Sequence, residues 1–184
     1  LTNDYYIDPD TRAFALAGTE HHKKLEEVAK ELGLPAEVAL SVDRDIFDLL
    51  EWEDGGLVLT DYKEWGSYRV AKALGIVKEG KGKDAVFTQD PEQVDNWEAE
   101  YQLNRYCDKL EQLFTRYNLN LKIRRMQLQI KVRDGGLYIA KGRGVLRNMY
   151  RIPIPKLPVG VVRDYFRYKE ACLYEALRQG HWHT

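Results

Sequence analysis

Hydrophobic residues recur with two different periods along this chain, which predicts a protein of mixed α and β structure. Helical spacing is found in four segments, at 19–34, 66–77, 92–118 and 161–180. The first of these helices would start with Thr19 as N-cap and stop at Gly33. Strand-like runs occur in two pairs, within 45–63 and 124–142. The predicted order is α-β-β-α-α-β-β-α, with a turn or short helix after Pro35 and an irregular stretch from 78 to 91.

The first strand pair has the sequence DIFDLLEWEDGGLVLTDYK (45–63), in which Asp54-Gly55 is typical of a two-residue hairpin turn. Such a turn pairs Glu53 with Gly56 and puts Asp48 opposite Asp61, with Lys63 on the same face. Opposed Cβ atoms lie about 5 Å apart, so the two carboxylates would repel unless they shared a proton or a cation. If the turn were longer or bulged, one carboxylate would instead face water, and the pattern alone leaves both possibilities open.

The second pair, RRMQLQIKVRDGGLYIAKG (124–142), is predicted to be a hairpin that turns at Asp134-Gly135-Gly136. Its first strand alternates between apolar residues on one face and polar, mostly basic residues on the other. The apolar set is Met126, Leu128, Ile130 and Val132, and the polar set is Arg125, Gln127, Gln129, Lys131 and Arg133. The pattern indicates a half-buried strand with a basic outer face.

Composition narrows the class of protein. The chain of 184 residues fits a single domain, 1–184, and 44% hydrophobic with 31% charged residues is typical of a globular protein. No apolar run approaches the roughly 20 residues of a membrane helix. Two cysteines give no disulfide framework, and the acidic start LTNDYYIDPD is not typical of a signal peptide. These features predict a cytoplasmic, intracellular protein without a membrane partner.

The net charge of −1 conceals a strong asymmetry along the chain. Residues 1–100 contain 11 Lys and Arg against 23 Asp and Glu, whereas residues 101–184 contain 17 against 6. Such a basic half can bind a polyanion, and the basic strand face favours this interpretation. The alternative is that the two halves neutralise each other in the folded protein.

Several motifs carry a family resemblance. The pattern of Asp48, a turn, and an apolar strand ending in Asp61-Tyr62-Lys63 resembles the core of the PD-(D/E)XK nucleases. The segment GTEHHKKLE (18–26) is similar to the Gly-Thr-x-x-His-x-x-x-Glu motif of their RecB-like exonuclease branch, and QLNRY (102–106) to its Gln-x-x-x-Tyr motif. These elements follow one another in the family's order. With two cysteines instead of four, the chain departs from the iron–sulfur members of the branch.

Two other departures concern the core. The interval between the Asp-x-Lys and Gln-x-x-x-Tyr motifs is longer than the single helix usual in the branch, which indicates an insertion around 72–95. The Gly that normally precedes the first Asp is replaced by Asp45, so Asp43 and Asp45 are alternatives to Asp48. The hairpin register favours Asp48.

The resemblance implies a restriction-endonuclease-like core, with a central mixed sheet flanked by helices, and a Mg²⁺- or Mn²⁺-dependent deoxyribonuclease. It implies an exonuclease acting on single-stranded DNA ends, with a helicase or recombination protein as partner. The implied metal ligands are His22, Asp48, Asp61 and the Tyr62 carbonyl, with Glu26 as a further candidate. Lys63 would stabilise charge on the phosphate, and Gln102 and Tyr106 would contact the substrate.

Further basic residues are candidates for phosphate binding. The DNA-binding set is Arg105, Arg125, Lys131, Arg133, Lys141 and Arg143, and the closing helix adds Arg163, Arg167 and Lys169. Nearby tyrosines can stack on unpaired bases. Rival functions are a helix-turn-helix factor, disfavoured because acidic residues follow LEEVAKELGLPAEVAL (25–40), an inactive nuclease fold that binds DNA or regulates, and a structure-specific endonuclease.

Overall fold

The computed structural model describes residues 9–40, 45–53, 55–80 and 82–180, which form five α-helices, two short 3-10 helices (Gly82–Asp84 and Pro91–Gln93) and seven strands. The helices are α1 (Pro9–Glu31), α2 (Ser67–Ala73), α3 (Trp97–Arg116), α4 (Tyr138–Lys141) and α5 (Val159–Gln179). The strands are β1 (Ala36–Ala39), β2 (Ile46–Glu53), β3 (Gly56–Trp65), β4 (Ile76–Glu79), β5 (Val86–Gln89), β6 (Ile123–Val132) and β7 (Met149–Ile154). None of these helices is both long enough and apolar enough to cross a membrane.

Five strands form a mixed sheet in the order β1-β2-β3-β6-β7. The central pair, β3 and β6, is parallel, and the other neighbours are antiparallel. Strands β4 and β5 form a separate two-stranded sheet within the interval 72–95 that we predicted to be an insertion. The prediction of a mixed α+β protein with a central mixed sheet flanked by helices is confirmed.

Both faces of the sheet are covered, by different helices. On one face, Leu59, Leu128 and Ile130 are fully buried against Leu103 of α3 and Val70 of α2. On the other face, Leu49 and Tyr62 pack against Leu25 and Ala29 of α1. Because successive side chains of a strand point to opposite faces, β2 and β3 contribute to both layers. The core of the protein therefore lies around these two strands and β6.

The predicted register of the first hairpin is confirmed. Strands β2 and β3 pair Glu53 with Gly56 and continue to Leu49 with Thr60, one residue short of Asp48 and Asp61. Gly55 has a φ of 79°, which a side chain would disfavour, so the Asp-Gly turn signal had a real physical basis. Helices α2, α3 and α5 also lie where the apolar pattern predicted them, although α2 ends at Ala73 and Ile76 already belongs to β4.

Two predictions near the N-terminus were wrong. The first helix begins at Pro9, so Thr19 lies inside it and is not an N-cap, whereas Gly33, with a φ of 69°, does follow its end. The segment after Pro35 forms the edge strand β1, where pairing with β2 overrides its modest helical propensity. The candidate Asp43 lies outside the described residues.

The second predicted hairpin was also wrong. Strand β6 pairs with β7 (Met149–Ile154), and the segment expected to return along β6 contains the short helix α4. The Asp134 carboxylate accepts hydrogen bonds from the Ser67 N–H and hydroxyl, both at 2.6 Å, and so binds the first turn of α2. Strand β7 tolerates Pro153 because it lies at the edge of the sheet.

Candidate functional site

The two aspartates of the first hairpin lie beside each other in the folded protein. Asp48 and Asp61 are almost completely buried, with 7% and 2% of their surface exposed. The Asp48 Oδ2 atom accepts a hydrogen bond of 2.5 Å from the backbone N–H of Tyr62. This contact ties the carboxylate of β2 to the strand that carries Asp61. The bulged alternative, in which one carboxylate faces water, is therefore wrong.

Lys63 and two side chains of α3 extend the site. The Lys63 Nζ atom lies 2.7 Å from Asp61 Oδ2 and donates a hydrogen bond of 3.2 Å to the amide oxygen of Gln102. The Gln102 amide nitrogen in turn donates to the Tyr106 hydroxyl at 2.7 Å. Because Gln102 and Tyr106 are four residues apart, they share one face of α3. The Gln-x-x-x-Tyr residues thus form one polar chain with Lys63 and Asp61.

His22 and Glu37 complete the cluster on the side of α1 and β1. The His22 Nδ1 atom lies 3.2 Å from Glu37 Oε1 and 3.6 Å from Asp48 Oδ1. One ligand atom from each of His22, Glu37 and Asp48 lies within 4.8 Å of the other two. An imidazole and two carboxylates at this spacing can bind a single divalent cation.

Sequence reasoning missed Glu37, because the segment after Pro35 was predicted to be a turn or short helix. In the β1–β2 ladder, Ala36 pairs with Leu49 and Val38 with Phe47, so Glu37 lies opposite Asp48. Its φ of 51° is in the left-handed region, which is costly for a residue with a side chain. If residues 36–39 had been predicted to form a strand antiparallel to β2, the same pairing rule would have placed Glu37 beside Asp48.

Burial shifts the pKa values of both aspartates in the cluster. Burial, together with the negative charge of Asp61, raises the pKa of Asp48 to about 7. Burial also raises the pKa of Asp61, although the ammonium of Lys63 opposes this effect. Within the described residues, the buried Asp61 Oδ2 atom accepts no well-directed hydrogen bond despite its ion pair. A divalent cation bound beside the two carboxylates would relieve their repulsion.

Other predicted metal ligands have different surroundings. The Glu26 carboxylate forms an ion pair of 2.5 Å with Lys30 and is not part of the ligand group found among the described residues. Asp61 also lies outside that group, since its Oδ2 atom pairs with Lys63. The Tyr62 side chain packs on α1, while its backbone lies next to Asp48. Asp45 pairs with Arg105 and Lys109 of α3, which leaves Asp48 as the aspartate beside Asp61.

The predicted DNA-binding cations are spread over several elements. On the sheet, Arg125 pairs with Glu53, and Lys131 lies 3.4 Å from Glu64. On α3, Arg105 pairs with Asp45 at 2.8 Å. The remaining three, Arg133, Lys141 and Arg143, lie after β6 and around α4, where Arg143 contacts Ser67 and Asp134. Gln127 is buried and donates a hydrogen bond to Thr60. The outer face of β6 is therefore less accessible to a ligand than the alternation of apolar and polar residues in the sequence indicated.

A scan against protein-family models found no match, and searches of curated proteins and of solved structures found no significant match. The resemblance to the RecB-like nucleases therefore stands on the motif residues alone.

Proposed function

We propose that this protein is a metal-dependent nuclease that hydrolyses phosphodiester bonds in DNA. One observation carries the proposal: buried Asp48 and Asp61 lie side by side, with His22 and Glu37 on one flank and Lys63 on the other. The arrangement combines candidate ligands for a divalent cation with a separate ammonium group. The flanked mixed sheet that holds these residues is compatible with a restriction-endonuclease-like core.

Each residue has a role that follows from its position. His22, Glu37, Asp48 and Asp61 would hold Mg²⁺ or Mn²⁺. When bound, such an ion lowers the pKa of water and neutralises charge on phosphate oxygens. Lys63 reaches from Asp61 to Gln102, so its ammonium is held at the edge of the cluster, where it can stabilise the charge that develops on the phosphate. Gln102 positions Lys63, and Tyr106 positions Gln102.

The substrate we propose is a single-stranded DNA end. The His22 and Gln102/Tyr106 motifs resemble an end-processing branch of the superfamily. The chain also contains 12 tyrosines, whose rings suit stacking on unpaired bases. The same resemblance is the basis for proposing a helicase or recombination protein as partner.

A cleavage assay with matched DNA topologies tests the proposal. The purified chain is incubated with end-labelled linear single strands, covalently closed single-stranded circles and linear duplexes, each with Mg²⁺, Mn²⁺ or EDTA. We expect linear single strands to shorten progressively only with a divalent ion, while circles survive. Rapid linearisation of circles would make the protein an endonuclease. Metal-independent binding without cleavage of any substrate would refute nuclease activity and favour a DNA-binding or regulatory role.

A further inference from the structure

A groove between α3 and α5 adjoins the candidate site. It has a volume of about 570 Å³, and its lining contains basic residues from both helices, the acids Asp108 and Glu170, and the aromatic ring of Phe166. The residues that matter here are Arg105, Lys109, Arg163, Phe166, Arg167 and Lys169. The two helices are held together by Arg163, which donates two hydrogen bonds of 2.7 and 2.8 Å to Asp108. The shape of the groove is therefore set by the contact between these two helices.

The groove continues towards Lys63. A neighbouring depression of about 360 Å³ contains Gln102 and Tyr106, together with the acids Asp45 and Glu98. It shares Arg105, Phe166 and Lys169 with the groove. Since Gln102 accepts a hydrogen bond from Lys63, an extended ligand that fills both spaces ends beside the carboxylate cluster. The shared residues thus connect the groove to the proposed site of hydrolysis.

Cations and aromatic rings lie next to each other in both spaces. The Arg105 guanidinium lies 4.5 Å from the ring centre of Phe166, and the Lys169 ammonium lies 5.9 Å from that of Tyr165. The Tyr165 ring also lies 4.2 Å from that of Tyr101, which extends the aromatic surface onto α3. Cations bind backbone phosphates and rings stack on bases, a combination typical of surfaces that bind single strands.

Arg167 of α5 is more accessible to a ligand than the basic residues of β6. Among the described residues, Arg167 forms an ion pair with Asp164 on its own helix, at 3.1 Å, and both side chains are 74% exposed. Such an exposed pair contributes little and is easily exchanged for a phosphate contact. By contrast, Arg125 and Lys131 of β6 are matched with glutamates on neighbouring strands. The groove lining contains five basic and two acidic side chains, so it has a net positive charge, and its cations Arg167 and Lys169 are exposed.

We propose that the groove between α3 and α5 binds one unpaired DNA strand and leads it to Lys63. Phosphates contact Arg167 and Lys169, and a base stacks on Phe166. Bases of a duplex are stacked on each other and cannot offer their faces to this ring, so the occupant is a single strand. The inference deepens the nuclease proposal and rests on it for the direction of the path.

Fluorescence anisotropy of a labelled oligothymidine in EDTA tests the groove without any cleavage. The full chain is compared with Arg167→Gln/Lys169→Gln, with Phe166→Leu and with the charge-matched control Lys122→Gln/Arg178→Gln, whose residues lie outside the groove. We expect the groove double variant to bind at least about 10-fold more weakly. Its slope of log K against log salt should shrink by about 1.4, at about 0.7 per lost contact. We expect Phe166→Leu to weaken single-strand binding about 10-fold without affecting duplex binding.

The control variant should bind like the unmodified chain, and circular dichroism should show that all variants are folded. Unchanged affinity and slope in the folded groove variants would refute the inference, as would equal weakening by the control. If the unmodified chain cleaves DNA while groove variants bind normally, only the path is wrong. If groove variants lose binding but the unmodified chain never cleaves, the groove stands and the nuclease proposal fails.

Discussion

The folded protein disfavours the ionised form of the Asp48 carboxyl group. Its pKa rises from 3.8 to about 7 on folding, because of burial and the neighbouring charge of Asp61. Between these pH values the folded protein retains a proton that the unfolded chain has lost. The free energy of unfolding therefore falls as pH rises from about 4 to 7. In EDTA, we expect a lower melting temperature at pH 8 than at pH 5, and Asp48→Asn should reduce this difference. An identical pH dependence in the variant would contradict the burial of an ionisable Asp48.

Asp45, which directly precedes β2, and Asp48, within β2, allow a favourable and an unfavourable carboxylate charge to be compared. Burial alone would raise the pKa of Asp45, but the hydrogen bonds from Arg105 and Lys109 hold it below its usual value. Removing this charge leaves two cations without their partner, whereas removing that of Asp48 relieves a repulsion. In EDTA at pH 8, urea denaturation should show Asp45→Asn less stable, and Asp48→Asn more stable, than the unmodified chain. Loss of stability in both would mean that Asp48 is a structural partner.

Lys63 provides a test of catalysis that is separate from metal binding. Removing one preorganised charge donor typically lowers the rate about 10²–10³-fold, and we expect this loss for Lys63→Ala. Because Lys63 is a cation, its removal should leave Mn²⁺ affinity, measured by calorimetry, unchanged or improved. A large loss of Mn²⁺ binding in a folded variant would instead assign Lys63 to the support of Asp61.

The part of the site formed by Asp48, Asp61 and Lys63 could be predicted from the sequence, because it depends on one turn. The turn between β2 and β3 sets the register that opposes Asp48 and Asp61, and strand alternation puts Lys63 on their face. The helical members of the site were predicted from the motif resemblance alone. Glu37 could not be found in the same way, because its strand has only four residues and an unusual backbone. Short edge strands carry little periodic signal, and their pairing is decided by the partner strand.

The backbone of β1 at Glu37 can be tested through stability. A φ of 51° costs a residue with a Cβ atom about 1–2 kcal/mol, and glycine avoids this cost. Both Glu37→Ala and Glu37→Gly remove the carboxylate, so the comparison isolates the backbone. We expect the glycine variant to be more stable than the alanine variant by about 1 kcal/mol in urea denaturation. A more stable alanine variant would show that Glu37 has an ordinary extended conformation.

The error at the second predicted hairpin also has a physical cause. Asp-Gly-Gly is typical of a hairpin turn, but here the Asp134 side chain binds the start of α2. This long-range contact is invisible to local patterns. We expect Asp134→Ala to cost about 1–2 kcal/mol of stability, as for a lost helix cap. The exposed Asp164→Ala is the control and should cost about 0.5 kcal/mol or less. Equal effects of the two substitutions would contradict the capping role.

Across the whole molecule, the fold brings the acidic and basic halves of the chain together. Several bases from 101–184 pair with acids from 1–100, as in Arg105–Asp45, Lys109–Asp45, Arg125–Glu53 and Lys131–Glu64. Mutual neutralisation thus accounts for part of the asymmetry seen in the sequence. The sequence predicted how much charge each half carries, but the pairing depends on the parallel contact of β3 with β6 and on the position of α3. The exposed cations of α5 remain the stronger candidates for a polyanion.

The central claim is that buried carboxylates around Lys63 support metal-dependent cleavage of DNA. The most direct test is the initial rate of single-strand cleavage with Mn²⁺ by the unmodified chain and by Asp61→Asn, with anisotropy on the same preparations. We expect cleavage by the unmodified chain to require Mn²⁺, and Asp61→Asn to lose it while binding DNA at least as tightly, because a negative charge beside the phosphate is removed. Near-normal cleavage by a folded Asp61→Asn variant would contradict the proposed site.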